Sequence, residues 1–156
     1  MSVLLDTNIL LRMSNKLHPM HVASRESVMV LEADGLDLTI VPQVLYEYWV
    51  VATRPLNVNG LGLTCSQVEV DVNEWCELFK LLLDERGIFP NWYKLVRAHS
   101  VTGKPAHDAR LVAAMERHRI SFILTFNTSD FVRYPNIQSL TLNDIISGAR
   151  FPAILP

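Results

Sequence analysis

Two cysteines in 156 residues are too few for a disulfide framework, and Cys65 and Cys76 fall in no Cys-x-x-Cys pattern. On one helix they would stand roughly 16 Å apart, beyond disulfide reach, so free thiols in a reducing compartment are expected. No apolar run reaches the length of a membrane span. No basic region precedes the first apolar run, which is too short for a signal peptide, so no membrane association and a cytoplasmic location are expected. An excess of one charge is missing as well. Lys and Arg number 14 against 16 Asp and Glu, a net −2, which excludes a globally basic nucleic-acid binder but not a local basic patch. There is no Gly-rich phosphate loop, no Ser-His-Asp spacing, no internal repeat and no low-complexity segment. The histidines are scattered, and His18-x-x-His21, at a chain break, reads as solvated or capping groups rather than a zinc site. What remains is an ordinary globular composition, 49% hydrophobic and 19% charged, in a chain long enough for one domain with its own core.

The chain opens with Val3-Leu4-Leu5, followed by Asp6-Thr7-Asn8. A short apolar run ended by polar residues reads as a buried parallel strand stopping at a loop. Ligands of open α/β sheets bind beyond the carboxyl ends of strands, where Asp6 would sit. Equally, Asp6 or Thr7 would cap a helix starting near Asn8. Both readings stand on this stretch alone. Residues 38–41, 120–125 and 138–141 read as further strands. A helix over 21–33 presents Val22, Val28, Met29 and Leu31 as its apolar stripe. The helix over 43–53 is apolar nearly all round and is expected to be buried. Residues 55–64 form a loop rich in Gly and Asn. Ser66-x-x-Glu69 reads as a capping box opening a helix that Gly87 stops, with Trp75, Leu78, Phe79, Leu81 and Leu82 inward. Phe89-Pro90 breaks the chain before a helix over 91–100, with Trp92, Leu95 and Val96 inward. Pro105 suits the first turn of a helix over 105–118, whose stripe is Leu111, Val112 and Met115. A last helical turn falls at 142–147. This order implies an α/β fold with a mostly parallel central sheet flanked by helices, one domain over 1–148 and a tail over 149–156.

Four carboxylates can meet at one edge of that sheet. Asp6 and Asp130 follow strands, Asp108 opens the helix before one of them, and Glu47 lies a helical turn beyond the second strand. Each has a structural alternative. Asp108 in a first turn complements the helix dipole, Asn127 or Asp130 suits an Asx turn or cap, and Glu47, among Val44, Tyr48 and Val51, requires an ion pair or hydrogen bonds. Gathered together, four carboxylates repel and raise each other's pKa unless a cation is present. An all-oxygen donor set suits Mg²⁺ or Mn²⁺ rather than Zn²⁺. Such a cluster activates water and neutralises a phosphodiester without a protein nucleophile.

Asp6-Thr-Asn-Ile-Leu, Glu47 in the helix after the second strand, His107-Asp108-Ala and Thr125-x-Asn127-x-x-Asp130-Phe131 together resemble the PIN domain, over about residues 3 to 142. Within it they look most like the VapC-type toxin ribonucleases of prokaryotic toxin–antitoxin pairs. The resemblance implies a Mg²⁺- or Mn²⁺-dependent endoribonuclease, with Asp6, Glu47, Asp108 and Asp130 as catalytic, metal-binding acids. It makes Thr7, Asn8, Thr125 and Asn127 supporting groups. It also implies a cognate antitoxin protein and a homodimer. The segment 55–64 and the tail after 148 depart from the short toxins, and some members carry the fourth acid where Asn127 stands. Alternatives are an RNA maturation or decay nuclease of the same fold without an antitoxin, and a non-catalytic binding module, which the four acids disfavour. A haloacid-dehalogenase-like phosphatase needs a second Asp where Asn8 stands. For RNA contact, Lys104 and Arg12 flank proposed ligands and are preferred over Arg133 and over Arg110, which reads as an ordinary solvated charge.

Overall fold

Three consecutive apolar residues, Val3, Leu4 and Leu5, are fully shielded from solvent, as a strand covered on both faces must be. They lie in β1 (Ser2–Leu5) of the computed structural model, which describes residues 1–148. The tail expected over 149–156 lies outside the described residues. After β1 come α1 (Thr7–Ser14), α2 (His21–Ala33), β2 (Asp37–Ile40), α3 (Pro42–Thr53), α4 (Cys65–Leu78) and β3 (Lys80–Leu81). Then follow α5 (Ile88–Ala98), α6 (Pro105–Arg117), β4 (Phe122–Leu124), β5 (Gln138–Leu140) and α7 (Leu142–Ile146). The sheet is parallel throughout, in the order β3-β2-β1-β4-β5. Leu4 lies opposite Thr39 on one side and Ile123 on the other. The chain lays β2 and β3 to one side of β1, then crosses over and lays β4 and β5 to the other. That reversal makes the crevice beyond β1 and β4 the switch point at which open α/β sheets bind ligands.

The expected α/β layering is therefore present, and the expected strands and most helices form. Leu111, Val112 and Met115 of α6 are buried as their spacing predicts. Cys65 and Cys76 are both exposed and unpaired on α4. No helix among the described residues is long and apolar enough to cross a membrane.

Several local expectations fail for identifiable reasons. The capping box of α4 is Thr64 with Gln67, not Ser66 with Glu69. The Thr64 hydroxyl accepts from the Gln67 backbone N–H, and the Gln67 side chain accepts from the Thr64 backbone N–H. α4 also stops at Leu78, not near Gly87. Phe79 turns extended, and Lys80–Leu81 joins the sheet edge as a fifth strand beside Thr39 and Ile40. Two residues inside a leucine-rich run carry no period, so this strand is invisible in the sequence. Leu78 is consequently exposed. Phe89-Pro90 does not break the chain but lies in the first turn of α5, where a missing N–H leaves no bond unmade. Val22 and Met29 of α2 face solvent, as do Tyr46, Trp49 and Val50 of α3, so α3 is buried on one face only. The loop after α3 folds back onto it, with the N–H groups of Leu61, Gly62 and Leu63 donating to the carbonyls of Val51, Arg54 and Ala52. These bonds satisfy the open end of the helix. Gly60 permits the return, since a Cβ there would lie 1.8 Å from the Arg54 carbonyl oxygen.

The cap assignment is directly testable. Thr64→Ala is expected to lower stability by about 1 kcal/mol, and Ser66→Ala to leave it within about 0.5 kcal/mol. Urea denaturation of both variants measures this, and the reverse ranking would return the cap to Ser66.

Candidate active site

Asp6 ends β1 and is the N-cap of α1, so the two readings of this residue coexist. Its Oδ1 accepts from the Thr7 backbone N–H at 2.7 Å. Its Oδ2 accepts from the Thr125 hydroxyl at 2.6 Å and from the Asn8 side-chain amide at 2.8 Å. Thr125, fully buried just beyond β4, also accepts from the Asn127 backbone N–H at 3.0 Å and stands 3.3 Å from the Asn8 amide. Parallel pairing of β1 with β4 creates this junction, because Leu5 lies opposite Leu124 and the next residues on each strand meet. Only 9% of Asp6 is exposed. Burial pushes its carboxyl up to about 6, against the pull of Thr125, Thr7 and Asn8, and the nearby Glu47 charge adds to the rise.

Glu47 reaches the same place from α3. Its Oε2 accepts from the Thr7 hydroxyl at 3.1 Å and its Oε1 from the Gln43 side chain at 2.8 Å. Hydrogen bonds, not a salt bridge, answer the requirement its apolar neighbours impose. Gln43 is the residue that sequence reasoning missed. The available signal was its position four residues before Glu47, on the same helical face.

Asp108, in the first turn of α6, is half-buried, and its carboxylate accepts no hydrogen bond among the described residues. Its carboxyl is also raised to about 6, first by burial and then by the charges of Asp130, Asp6 and Glu47. The four predicted acids thus act on one another electrostatically. Of the two candidates for the fourth position, Asp130 is the one whose charge bears on Asp108, while the Asn127 side chain is solvent-exposed. The donor set is all oxygen and crowded with negative charge, which fits a hard divalent cation in chemistry. Among the described residues, no three Asp, Glu, His or Cys side chains stand close enough together to hold a metal ion as they are placed. Thr7 and Glu47 face a cleft of about 510 Å³ that Tyr46, Val50, Arg54 and His107 help to line.

The basic candidates divide. Lys104 is exposed at the N-cap of α6, four residues before Asp108. Arg12 is in the last turn of α1, about 9 Å along the axis from Asp6, and is not gathered with the acids. Arg133 is exposed near Asp130. Arg110 is no freely solvated charge: it pairs with Asp84 at 2.8 Å and donates to Gln43 at 3.0 Å.

Known proteins share this architecture. A chain of the VapBC2 complex of Rickettsia felis, bound to a DNA fragment from their promoter, aligns with a TM-score of 0.70 at 16% identity, over 90% of this chain and 98% of that one. A toxin–antitoxin complex from Klebsiella pneumoniae gives 0.62 at 21%, over 90% and 97%. The sarcin-ricin loop cleaving toxin VapC20 of Mycobacterium tuberculosis gives 0.60 at 16%, over 85% and 95%. At these identities the likeness is one of fold. No curated protein sequence matches the chain significantly. The PIN domain family profile matches residues 3–137, nearly the whole of the sheet and every acid of the cluster, and the chain therefore belongs to the PIN domain family.

Proposed function

We propose that this PIN domain is a metal-dependent endoribonuclease and the toxin of a toxin–antitoxin pair. The observation that carries the reading is that the charges of Asp130, Asp6 and Glu47 all act on Asp108, adding to the burial that raises its carboxyl to about 6, beside the switch point of the sheet. Asp6, Glu47, Asp108 and Asp130 would hold Mg²⁺ or Mn²⁺. A cation so held supplies a more acidic water and offsets negative charge on a phosphodiester. The chain's own contribution is placement. Thr125, Asn8 and the Thr7 backbone fix the Asp6 carboxylate, Thr7 and Gln43 fix that of Glu47, and Asn127 closes on Thr125 through its backbone. No side chain need act as nucleophile.

RNA as substrate, an antitoxin and a second copy of the chain complete the proposal. Support for an antitoxin comes from the neighbours of like fold, which are toxin–antitoxin complexes. Support for a homodimer comes from apolar side chains left in solvent on α2 and α3, notably Val22, Met29, Tyr46 and Trp49. Lys104 is the best-placed phosphate contact, with Arg12 second.

Asp6→Asn is expected to abolish Mg²⁺- or Mn²⁺-dependent cleavage of RNA, a loss of on the order of 100-fold or more. A variant as fast as the parent would remove Asp6 from the ligand set. Lys104→Ala should weaken RNA binding alike across sequences and flatten its salt dependence by about 0.7 in log–log slope, one single-strand phosphate contact. Affinity for a short RNA at several salt concentrations reads this out, and an unchanged slope places Lys104 off the RNA path.

Burial of Asp108, together with repulsion from its neighbours, also has a thermal signature. The Asp108 carboxyl titrates at about 6 when folded and near 4 when unfolded. Between those values the folded state holds a proton that the unfolded state has lost. This stabilisation therefore falls as pH rises through the window and is gone above it. Without metal, Asp108→Asn should be the more stable protein near neutral pH by on the order of 1 kcal/mol after solvent screening, about 2–4 °C in Tm. The gap should close toward about pH 4, and Mn²⁺ should reverse the order at neutral pH. Calorimetry in chelator and in Mn²⁺ measures both, and a parent more stable than the variant in chelator at neutral pH would contradict the combined cost of burial and repulsion at Asp108.

A further inference from the structure

Gln43 is buried, with 6% of its surface exposed, in the first turn of α3. Its side-chain amide makes three hydrogen bonds to the protein, with both N–H donors engaged. Nε2 donates to Glu47 Oε1 at 2.8 Å and to the His107 carbonyl at 2.9 Å, while Oε1 accepts from Arg110 Nη1 at 3.0 Å. Reversing the amide would set oxygen against a carboxylate and a carbonyl, and N–H against a guanidinium, so the network fixes one orientation. Arg110 is fixed in turn by Asp84, in the segment between β3 and α5. An unbroken polar chain therefore runs from Asp84 through Arg110 and Gln43 to Glu47.

The His107 carbonyl belongs to the residue before Asp108. One amide thus spans from the Glu47 carboxylate to the turn that carries Asp108. α3 and α6 both pack into one core, through Val44 and Tyr48 and through Ala109 and Val112, and few of their residues approach each other directly, so this amide is a specific polar tie between them. Open space lies on both sides of the bridge: the cleft of about 510 Å³ at Glu47, and a second of about 390 Å³ lined by Phe89 and Trp92, with Arg110 and His107 bordering both. The choice of residue is also telling. An arginine or lysine paired with Glu47 would neutralise the charge that a cation needs. A neutral amide orients the carboxylate and leaves its charge in place, and the Arg110 guanidinium is held a residue away.

We propose that Gln43 is a positioning residue which sets the separation of Glu47 and Asp108 and, held by Arg110 and Asp84, orients the Glu47 carboxylate for a divalent cation. The proposal rests on the metal-dependent nuclease reading. Its test uses the full chain and two readouts, Mn²⁺ affinity by electron paramagnetic resonance without RNA, and steady-state RNA cleavage. Gln43→Met keeps the volume and loses the bonds. It should lower Mn²⁺ affinity by roughly 10- to 100-fold, with a fall in kcat of the same order and little change in KM for RNA. Arg110→Met should act in the same direction but less. The double variant should be no worse than Gln43→Met alone, because Arg110 works through Gln43.

Parent-like Mn²⁺ affinity in Gln43→Met, or additive losses in the double variant, would overturn the positioning role while leaving the nuclease reading intact. A parent that neither binds Mn²⁺ nor loses anything on Asp6→Asn overturns both. Should Gln43→Met fail to fold, Arg110→Met decides by itself, and unchanged Mn²⁺ affinity there overturns the proposal.

Discussion

An acidic side chain held almost dry at the end of β1 is the constraint on which the rest depends. Asp6 is 9% exposed and carries three hydrogen bonds, two of them from residues of its own turn and one from Thr125 on the neighbouring strand. The Thr125 bond exists only if β1 and β4 are adjacent, parallel and in register. That adjacency exists only if the chain reverses its strand order at β1. The topology, the register and the site are thus one requirement seen at three scales. Burial alone would lift the Asp6 carboxyl further, and the three donors pull it back toward the charged form.

Much of this is legible in the sequence because it is written in local signals. Short apolar runs ending in polar residues mark β1 and β4, a short run stopped by Pro42 marks β2, and the spacing in residues 105–118 marks α6 and its core face. Placing Asp6 and Asp130 after strands, Asp108 at a helix start and Glu47 a helical turn beyond β2 is then enough to expect the four at one edge. What escapes has physical reasons. β3 is two residues long and hidden in a leucine run, so its strand character comes entirely from pairing with Thr39 and Ile40. Thr64 and Ser66 both offer a hydroxyl with a suitable partner three residues on, and only backbone geometry decides between them. The exposed face of α3 follows from how little lies over it, which no period reports.

Gln43 and Arg110 escape for a different reason. Taken singly, a glutamine in an apolar helix and an arginine on a surface helix carry no message. Their meaning lies in a contact between residues 67 positions apart and another across 64. Glu47 has apolar side chains at Val44, Tyr48 and Val51 among its helical neighbours, while another, Gln43, and Thr7 of α1 supply the two hydrogen bonds that offset its partial desolvation. The environment of such a part-buried carboxylate is decided by single donors, one within a helical turn and one from a distant segment, and the average hydrophobicity of its helix does not reveal them.

The distribution of stability follows from the same geometry. The middles of β1 and β4 and the inner face of α6 are fully apolar and closed, with Leu4, Ile123, Val112 and Met115 unexposed. Their carboxyl ends and the helix starts nearby carry groups that repel one another. A fold can tolerate such repulsion only where it acts on loops and caps that a rigid sheet over-determines. Here the strands hold position while Asp6 stands just beyond Leu5, Asp130 lies in the segment after β4, and Glu47 and Asp108 come from the helices α3 and α6. Along β1 the charge of Asp6 follows the last paired core residue, Leu5, directly, whereas β4 is followed by the neutral Thr125 and reaches its acid at Asp130. A hard cation at this edge would turn the repulsive cluster into a cohesive one without moving the sheet, which is why the same carboxylates can burden the metal-free protein and serve the loaded one.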